Sequence, residues 1–215
     1  MRRSSGGDSK NDAVLKRFLG GFGNAAPNGV PHHLCDLAGC CTANGSQALY
    51  YAWHGITRFH DGVSTVNLFL NRASPWMDVD SYLPYEGRVV LRNKQAHTAL
   101  VRIPGWVELG QVRNFVDGKP MHPPLAGRYE IFEGLKPNNE IRLEFRVKEE
   151  TDRYTIDGRE YHVTFRGSTV VDIDPRDLDP KDYPMYQRDY MKADKAPMRE
   201  VKRFVADRII PLGTY

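Results

Sequence analysis

The residues of this sequence best suited to chemistry are two adjacent cysteines, Cys40 and Cys41, in the segment Gly-Cys-Cys-Thr-Ala-Asn-Gly at residues 39–45. Neighbouring cysteines make a poor disulfide, because joining them strains the intervening peptide bond. They are suited to act as two converging thiols, one for a metal and one for a reaction. Asn44 can cap a following helix, with Gln47 as the second half of a capping box. Because a helix N-terminus favours thiolate over thiol, the segment predicts a thiolate site at the start of a helix.

Two other interpretations of the cysteines stay open. Free cysteines are often buried as small hydrophobic residues, and that alone would explain the pair. Cys35, His32 and His33 lie close upstream, so that one loop has enough side chains for four zinc ligands. Their spacing fits no standard zinc motif, and a surface loop with incidental histidines competes with a self-contained metal site.

The stretch after the cysteines has helical periodicity. Apolar residues at i, i+3, i+4 and i+7 indicate an amphipathic helix from near Ser46 to about Phe59, with Trp53 in the core. The apolar positions are Leu49, Ala52, Trp53 and Ile56. This stripe needs a partner to cover it, and the chain offers few other helices.

Beyond the turn signal Asp61-Gly62 the period of the apolar residues changes to two, which is typical of strands. The alternation is clearest at residues 141–147. Other alternating or apolar runs lie at residues 65–70, 89–91, 99–103, 161–165 and 170–173. Turn signals separate several of the runs, at Asp117-Gly118, Pro137-Asn138-Asn139 and Asp157-Gly158. Many short strands with regular turns predict a mainly β fold, an antiparallel β-sandwich of jelly-roll type.

The organisation predicted from these patterns has three parts. Residues 1–60 form a start that is disordered at residues 1–12, followed by the helix that carries the cysteine pair. Residues 61–175 form the β-sandwich. Residues 176–215 form a C-terminal extension with a short helix at about residues 200–210.

Composition narrows the class of protein. The chain has 215 residues, of which 40% are hydrophobic and 27% charged, enough for one β domain with an appendage or two small domains. The net charge of +3 is small and the basic residues are scattered, which argues against a nucleic-acid partner. No apolar run has the length of a membrane span, and the basic N-terminus lacks the apolar segment of a secretory signal. Three cysteines between residues 35 and 41 suit reduced thiols and a cytoplasmic location.

Four ordered blocks of residues resemble a known family of enzymes. The first, at residues 40–53, contains the pattern Cys-Cys-x-x-Asn. The other three are Val-Asn-Leu-Phe-Leu-Asn at 66–71, Pro-Tyr-Glu-Gly-Arg-Val at 84–89 and Arg-Ile-Pro-Gly-Trp at 102–106. Together they are similar to glycoside hydrolase family 127, the β-L-arabinofuranosidase family, from about Phe18 to the C-terminus.

The resemblance implies an enzyme of carbohydrate metabolism, a retaining glycoside hydrolase acting on an arabinofuranoside-like substrate. It implies that Cys40 is the nucleophile that attacks the anomeric carbon and that Cys41 binds Zn²⁺. Our hypothesis is that any zinc bound here uses Cys41, Cys40 and Cys35. A thiolate nucleophile gives a covalent glycosyl-enzyme, as the carboxylate does in other retaining glycosidases.

The sequence also departs from the family. The family's general acid/base Glu and its remaining zinc ligands, another Glu and another Cys, lie upstream in an (α/α)₆ barrel, and no segment here matches them. About 39 residues precede Cys40, so the resemblance implies the C-terminal portion: a helical remnant of the barrel and the sandwich. We therefore expect a partial chain that self-associates or lacks a barrel partner. The alternative is a non-catalytic β-sandwich, an accessory or assembly module left as a fragment of such an enzyme.

Two further features have competing explanations. Glu86 is a carboxylate in a motif-like setting, and an ion pair with Arg88 explains it as well as a catalytic role does. Several aromatic side chains have the chemistry to stack on a sugar, although aromatic residues usually pack. They include Trp53, Trp76 and Trp106.

Overall fold

The computed structural model describes residues 39–156, 158–175 and 189–199, with the backbone alone for residues 39–42. The predicted disordered start, the predicted last helix and Cys35 lie outside these residues. The described part is mainly β, with one long helix, α1, at Gly39–Gly55 and thirteen strands. The strands are β1 Thr57–His60, β2 Val63–Val66, β3 Met77–Ser81, β4 Arg88–Asn93, β5 Thr98–Arg102, β6 Arg113–Val116, β7 Lys119–Met121, β8 Leu125–Ala126, β9 Tyr129–Glu133, β10 Glu140–Glu144, β11 Glu149–Ile156, β12 Arg159–Arg166 and β13 Thr169–Asp174. Two 3₁₀ turns lie at Leu109–Gln111 and Asp189–Lys192.

Two five-stranded sheets form a sandwich, which confirms the predicted fold class. Sheet A has the order β1-β2-β5-β9-β8 and sheet B the order β3-β4-β10-β6-β7. Both contribute side chains to one hydrophobic core. The most deeply buried of these are Val66, Ala99, Val101 and Phe132 from sheet A, and Met77, Val79, Val89, Leu91, Ile141 and Leu143 from sheet B. The pairings are antiparallel except that of β2 with β5, which is parallel.

Local sequence explains most strands and turns of the sandwich. In β10, Ile141 and Leu143 are fully buried while the residues between and beside them are partly exposed, as alternation requires. The hairpin between β1 and β2 turns at Asp61 and Gly62, with φ of 46° and 75°. Positive φ at both positions is the type I′ turn that Asp-Gly favours, so this predicted turn is confirmed.

The helix differs from its predicted position. It spans Gly39–Gly55 rather than residues 46–59, so Asn44 and Gln47 lie in its interior and do not cap its start. It ends at a glycine, a weak helix former, and the β-branched Ile56 and Thr57 then lead into β1.

The apolar stripe of the helix is exposed. Leu49 is 64% and Trp53 47% exposed, so the prediction that Trp53 is a core residue was wrong. Ile56, just beyond the helix, is 2% exposed and is the member of the stripe that enters the sandwich core. Among the described residues the helix is therefore held by its C-terminal end.

Strands β11, β12 and β13 form a third sheet, sheet C, separate from the sandwich sheets that the alternation of residues 161–173 suggested. Every residue of β11 is exposed. The Gly167 amide donates to the Lys148 carbonyl at 2.8 Å, and Gly167 lies against the ring of Trp106. Trp106 in turn contacts Phe145 edge-on in the sandwich, with ring centroids 5.7 Å apart.

Candidate functional site

The predicted nucleophile Cys40 and the predicted zinc ligand Cys41 lie on the backbone at the end of α1 farther from β1. Cys40 and Cys41 are within the first turn of α1, whose described backbone begins at Gly39. Their side chains, and the whole of Cys35, are outside the part that the structure describes. What the structure does show is how the opposite end of the helix is fixed.

Arg72 holds the C-terminal end of α1. It lies in the loop between β2 and β3, and it is 8% exposed. Its Nη1 donates to the carbonyl oxygens of Trp53 at 3.0 Å, His54 at 2.7 Å and Thr57 at 3.0 Å. The last carbonyls of a helix have no partners within the helix and carry partial negative charge, so a guanidinium is well matched to them. The arginine satisfies the helix end and ties it to β1.

The Arg72 guanidinium is also flanked by aromatic rings. Its central carbon is 4.4 Å from the centroid of Trp53 and 5.8 Å from that of Trp76. Trp76 donates from Nε1 to the Thr57 hydroxyl at 3.0 Å and stacks on Phe59. Burial lowers the pKa of Arg72 from its ordinary value, with Tyr50 acting in the opposite direction. Trp53 and Trp76, two of the three tryptophans, therefore contact Arg72 at the end of the helix.

Asn67, in the second family-like block, also binds the C-terminal end of α1. Its Nδ2 donates to the Gly55 carbonyl at 3.0 Å and its backbone amide donates to the Ile56 carbonyl at 2.8 Å. Its Oδ1 accepts a hydrogen bond from the Tyr129 hydroxyl at 2.9 Å, which links the end of the helix to β9. The block predicted as a strand at residues 65–70 is thus a strand only to Val66, and the residues after it receive the helix.

The third and fourth family-like blocks are also structural where the structure describes them. At Gly87 a Cβ would lie 1.7 Å from the Phe145 carbonyl oxygen, so glycine is required by a close backbone approach. The Gly87 carbonyl accepts from the Phe145 amide at 2.8 Å. In the loop after β5, Arg128 donates to the carbonyls of Ile103, Pro104 and Val107. These contacts fix loops at the edge of the sandwich.

A cleft of about 510 Å³ lies beside the third block, and its carboxylates are paired. Glu86 lies 3.0 Å from Arg88 and accepts from the Ala196 amide at 3.3 Å. Glu144 lies 2.8 Å from Arg113. The lining residues are Glu86, Gly87, Arg88, Gln111, Arg113, Glu144, Phe145 and Arg146. The ion pair between Glu86 and Arg88 that the sequence suggested is present. Neither Glu86 nor Glu144 is free of an arginine partner.

Among the described residues, no three or more His, Cys, Asp or Glu side chains gather as a potential metal site. None of the helices in the described ranges is both long and apolar enough to cross a membrane.

Sequence reasoning missed Arg72, the residue that most directly positions the helix. Arg72 follows the second block immediately, but a lone arginine in a loop has the appearance of a surface residue. A weak signal was its place between Asn71 and the small residues Ala73 and Ser74, in a loop that leads to a tryptophan.

Several solved structures are similar to this chain. The glycosidase "The GH127, Beta-arabinofuranosidase, BT3674" matches 75% of this chain and 33% of its own length, with a TM-score of 0.52 and 18% identity. Ara127N-Se, a GH127 beta-L-arabinofuranosidase from Geobacillus stearothermophilus T6, matches 62% of this chain and 24% of its own at a TM-score of 0.46 and 18% identity. A structure titled "Glycoside hydrolase" matches 67% of this chain and 26% of its own at a TM-score of 0.47 and 16% identity.

The likeness to BT3674 is one of fold: this chain has the fold of a part of a GH127 glycosidase. The chain spans a third or less of the length of these enzymes. No protein-family profile matches the sequence, and no curated protein does.

Proposed function

We propose that this chain is the helix-and-sandwich portion of a glycoside hydrolase of the β-L-arabinofuranosidase type. The observation that carries the proposal is the fold match to BT3674 over 75% of the chain. The cysteine pair, in a family-like block, lies on the helix that leads into this sandwich. Arg72 and Asn67 fix that helix to the sandwich at its other end.

In the proposed reaction the Cys40 thiolate attacks the anomeric carbon of a β-L-arabinofuranoside. The carbon–sulfur bond forms as the bond to the leaving-group oxygen breaks, and that oxygen takes a proton from a carboxylic acid. Water then displaces the sulfur and gives a proton back to the carboxylate that acted as the acid, so the sugar leaves with retained configuration and the thiolate and the acid are regenerated. The carboxylic acid belongs to the barrel part of the proposed enzyme, since no segment of this chain matches it.

Zinc is part of the proposal, with Cys35, Cys40 and Cys41 as the residues of this chain that would hold it. Thiolates are ligands that zinc prefers, and the backbone of α1 brings two of the three within one turn. A closed zinc site takes four ligands. The family resemblance places the family's remaining zinc ligands in the barrel, so the proposal takes the fourth ligand from there. When bound, zinc favours the thiolate form of its cysteine ligands.

A second candidate function is an accessory or assembly module without catalysis. The observation in its favour is that Glu86 and Glu144 in the described cleft are both held in ion pairs with arginines. Without a general acid, protonation of the leaving group is lost, a loss of about two to four orders of magnitude in rate.

The test is turnover by the purified chain of an aryl β-L-arabinofuranoside with an activated leaving group, which needs little acid assistance. We expect slow turnover, loss of at least about a hundredfold in Cys40→Ala, and a pentosyl mass adduct on the peptide that contains Cys40. Thr155→Ala, on the exposed strand β11, is the matched control and should leave turnover unchanged. Turnover that survives Cys40→Ala refutes the nucleophile assignment. No turnover and no adduct in the unaltered chain would favour the accessory module.

A further inference from the structure

Asn114 and Glu130 meet across the inside of the sandwich. Asn114 is on β6 of sheet B and Glu130 on β9 of sheet A, and they are 6% and 4% exposed. Asn114 donates from Nδ2 to Glu130 Oε1 at 2.9 Å. A carboxyl group buried this deeply in an apolar core needs an explanation, because isolated buried charge is strongly unfavourable.

Within the described ranges, the second oxygen of Glu130 and the amide oxygen of Asn114 both lack a hydrogen-bond donor. Among the described residues, Glu130 Oε2 and Asn114 Oδ1 are both buried and without a hydrogen-bond partner. If the glutamate is ionised, both oxygens are acceptors with no donor, and each unpaired buried polar atom destabilises the fold. A protonated carboxyl group carries one O–H donor. One proton therefore supplies the donor that two orphaned oxygens lack.

We propose that Glu130 is protonated in the folded protein and that its Oε2–H donates to Asn114 Oδ1. With the bond from Nδ2 to Oε1, this closes a reciprocal acid–amide pair that joins sheet A to sheet B. The proton is taken up from solvent as the sandwich forms.

Within the part of the chain that the structure describes, the cross-strand neighbours of the pair carry no charge that would hold the carboxylate. The cross-strand partners of Glu130 are Val101 on β5 and Leu125 on β8, and those of Asn114 are Leu143 on β10 and Met121 on β7. None of these four ionises.

The charged residues next along the strands are turned elsewhere. Arg113, beside Asn114, is exposed and pairs with Glu144 at 2.8 Å. Arg128, two residues before Glu130, donates to backbone carbonyls of the loop after β5. Glu133, at the end of β9, is exposed. Burial raises the pKa of the Glu130 carboxyl, and its hydrogen bond from Asn114 lowers it by less.

The raised pKa of Glu130 makes the stability of the fold depend on pH. With its pKa raised in the fold, Glu130 binds more protons in the folded than in the unfolded state, so its contribution to stability falls as pH rises. The contribution is complete below the unfolded pKa of about 4.3 and is lost as pH rises through the folded pKa. The acid–amide pair therefore stabilises the contact between the two sheets less as the pH rises.

The test compares the unfolding equilibrium constants of the full chain and of Glu130→Gln across pH. A glutamine Nε2 can donate to Asn114 Oδ1, so this variant keeps both hydrogen bonds without a proton. We expect the ratio of the unfolding constant of the unaltered chain to that of Glu130→Gln to rise with pH above about 4.3, by up to tenfold per unit. Glu133→Gln, on the exposed end of the same strand, should follow the pH profile of the unaltered chain. A ratio that stays flat through this range overturns the proposal.

A second measurement does not depend on the variant folding. In the unaltered chain labelled with ¹³C-glutamate, the side-chain carboxyl carbon of Glu130, assigned by backbone connectivity, should titrate above the ordinary glutamate pKa of about 4.3. Titration of Glu130 at or below that value would show an ionised carboxylate and refute the pair.

Discussion

Replacing Arg72 by methionine tests whether this one side chain fixes the helix that carries the cysteine pair. Methionine keeps a long, unbranched apolar stem and removes the guanidinium. The carbonyls of Trp53, His54 and Thr57 then lose their shared donor, 3.0, 2.7 and 3.0 Å away in the unaltered protein. We expect the C-terminal half of α1 to detach and fray while the sandwich stays folded.

The size of the effect follows from the geometry. Nη1 carries two hydrogens for three acceptors, so the contacts amount to about two full charge-assisted bonds of about 1.5 kcal/mol each. Loss of the cation–π contact with Trp53, at 4.4 Å, adds about 0.5–1 kcal/mol, which the apolar methionine partly replaces. The total is about 3 kcal/mol, or about two orders of magnitude in the opening equilibrium of the helix end.

Amide hydrogen exchange of residues 47–55 is the assay, because it reports opening of the helix independently of the sandwich. The exposed stripe of α1 contributes little burial, so the denaturant midpoint of the sandwich should shift less than the helix exchange. Arg72→Lys should give an intermediate effect, because lysine keeps the charge but not the planar stacking group.

Arg58→Met is the matched control, since Arg58 is an exposed arginine on the neighbouring strand β1. It should leave exchange in residues 47–55 unchanged. Exchange in Arg72→Met that rises less than about threefold would refute the assignment of Arg72 as the helix anchor. So would an equal effect in Arg58→Met.

Two further substitutions test the loops around the helix and the cleft. Gly87→Ala should destabilise the sandwich by several kcal/mol, because its Cβ would meet the Phe145 carbonyl oxygen, whereas Gly110→Ala, with nothing within 4 Å, should shift the urea midpoint little. If both alanine variants unfold at the same midpoint, the close approach at Gly87 is wrong. Tyr129→Phe should lower the free energy of unfolding by about 1 kcal/mol through loss of the bond to Asn67 Oδ1, measured by urea titration; no change would show that the bond contributes nothing net.

The features predicted correctly from sequence depend on residues close together in the chain. The Asp-Gly pairs at 61–62 and 117–118 adopt the positive φ values that their turn type requires. Alternation in β10 identified its buried residues, Ile141 and Leu143. These signals are local, so one sequence contains them in full.

The end of the helix was harder to predict from the sequence, because two local signals conflict there. Ile56 fits the helical stripe at i+7, which extended the predicted helix past its true end. Gly55 and the β-branched pair after it favour a stop there, and the structure follows them. Exposure of the stripe at Leu49 and Trp53 depends on what lies against the helix, which periodicity does not reveal.

The contacts of Arg72 with the helix end, and the pair of Asn114 and Glu130, could not be predicted from the sequence for another reason. Arg72 bonds to carbonyls 15 to 19 residues away, and Asn114 and Glu130 are 16 residues apart on strands of different sheets. Such pairings depend on the packing of the two sheets, and a polar residue in a strand pattern gives no sign of its partner. The roles of Cys40, Cys41 and Cys35 stay predictions.

The parallel pairing of β2 with β5 has a consequence for how the chain folds. The segment that joins these neighbours contains β3 and β4, which belong to the opposite sheet. Sheet A therefore has no continuous stretch of chain from which to assemble, and neither has sheet B, since β5 interrupts its strands. We expect the sandwich to form as one cooperative unit of high contact order, with no half that survives alone after the chain is cut between β2 and β5.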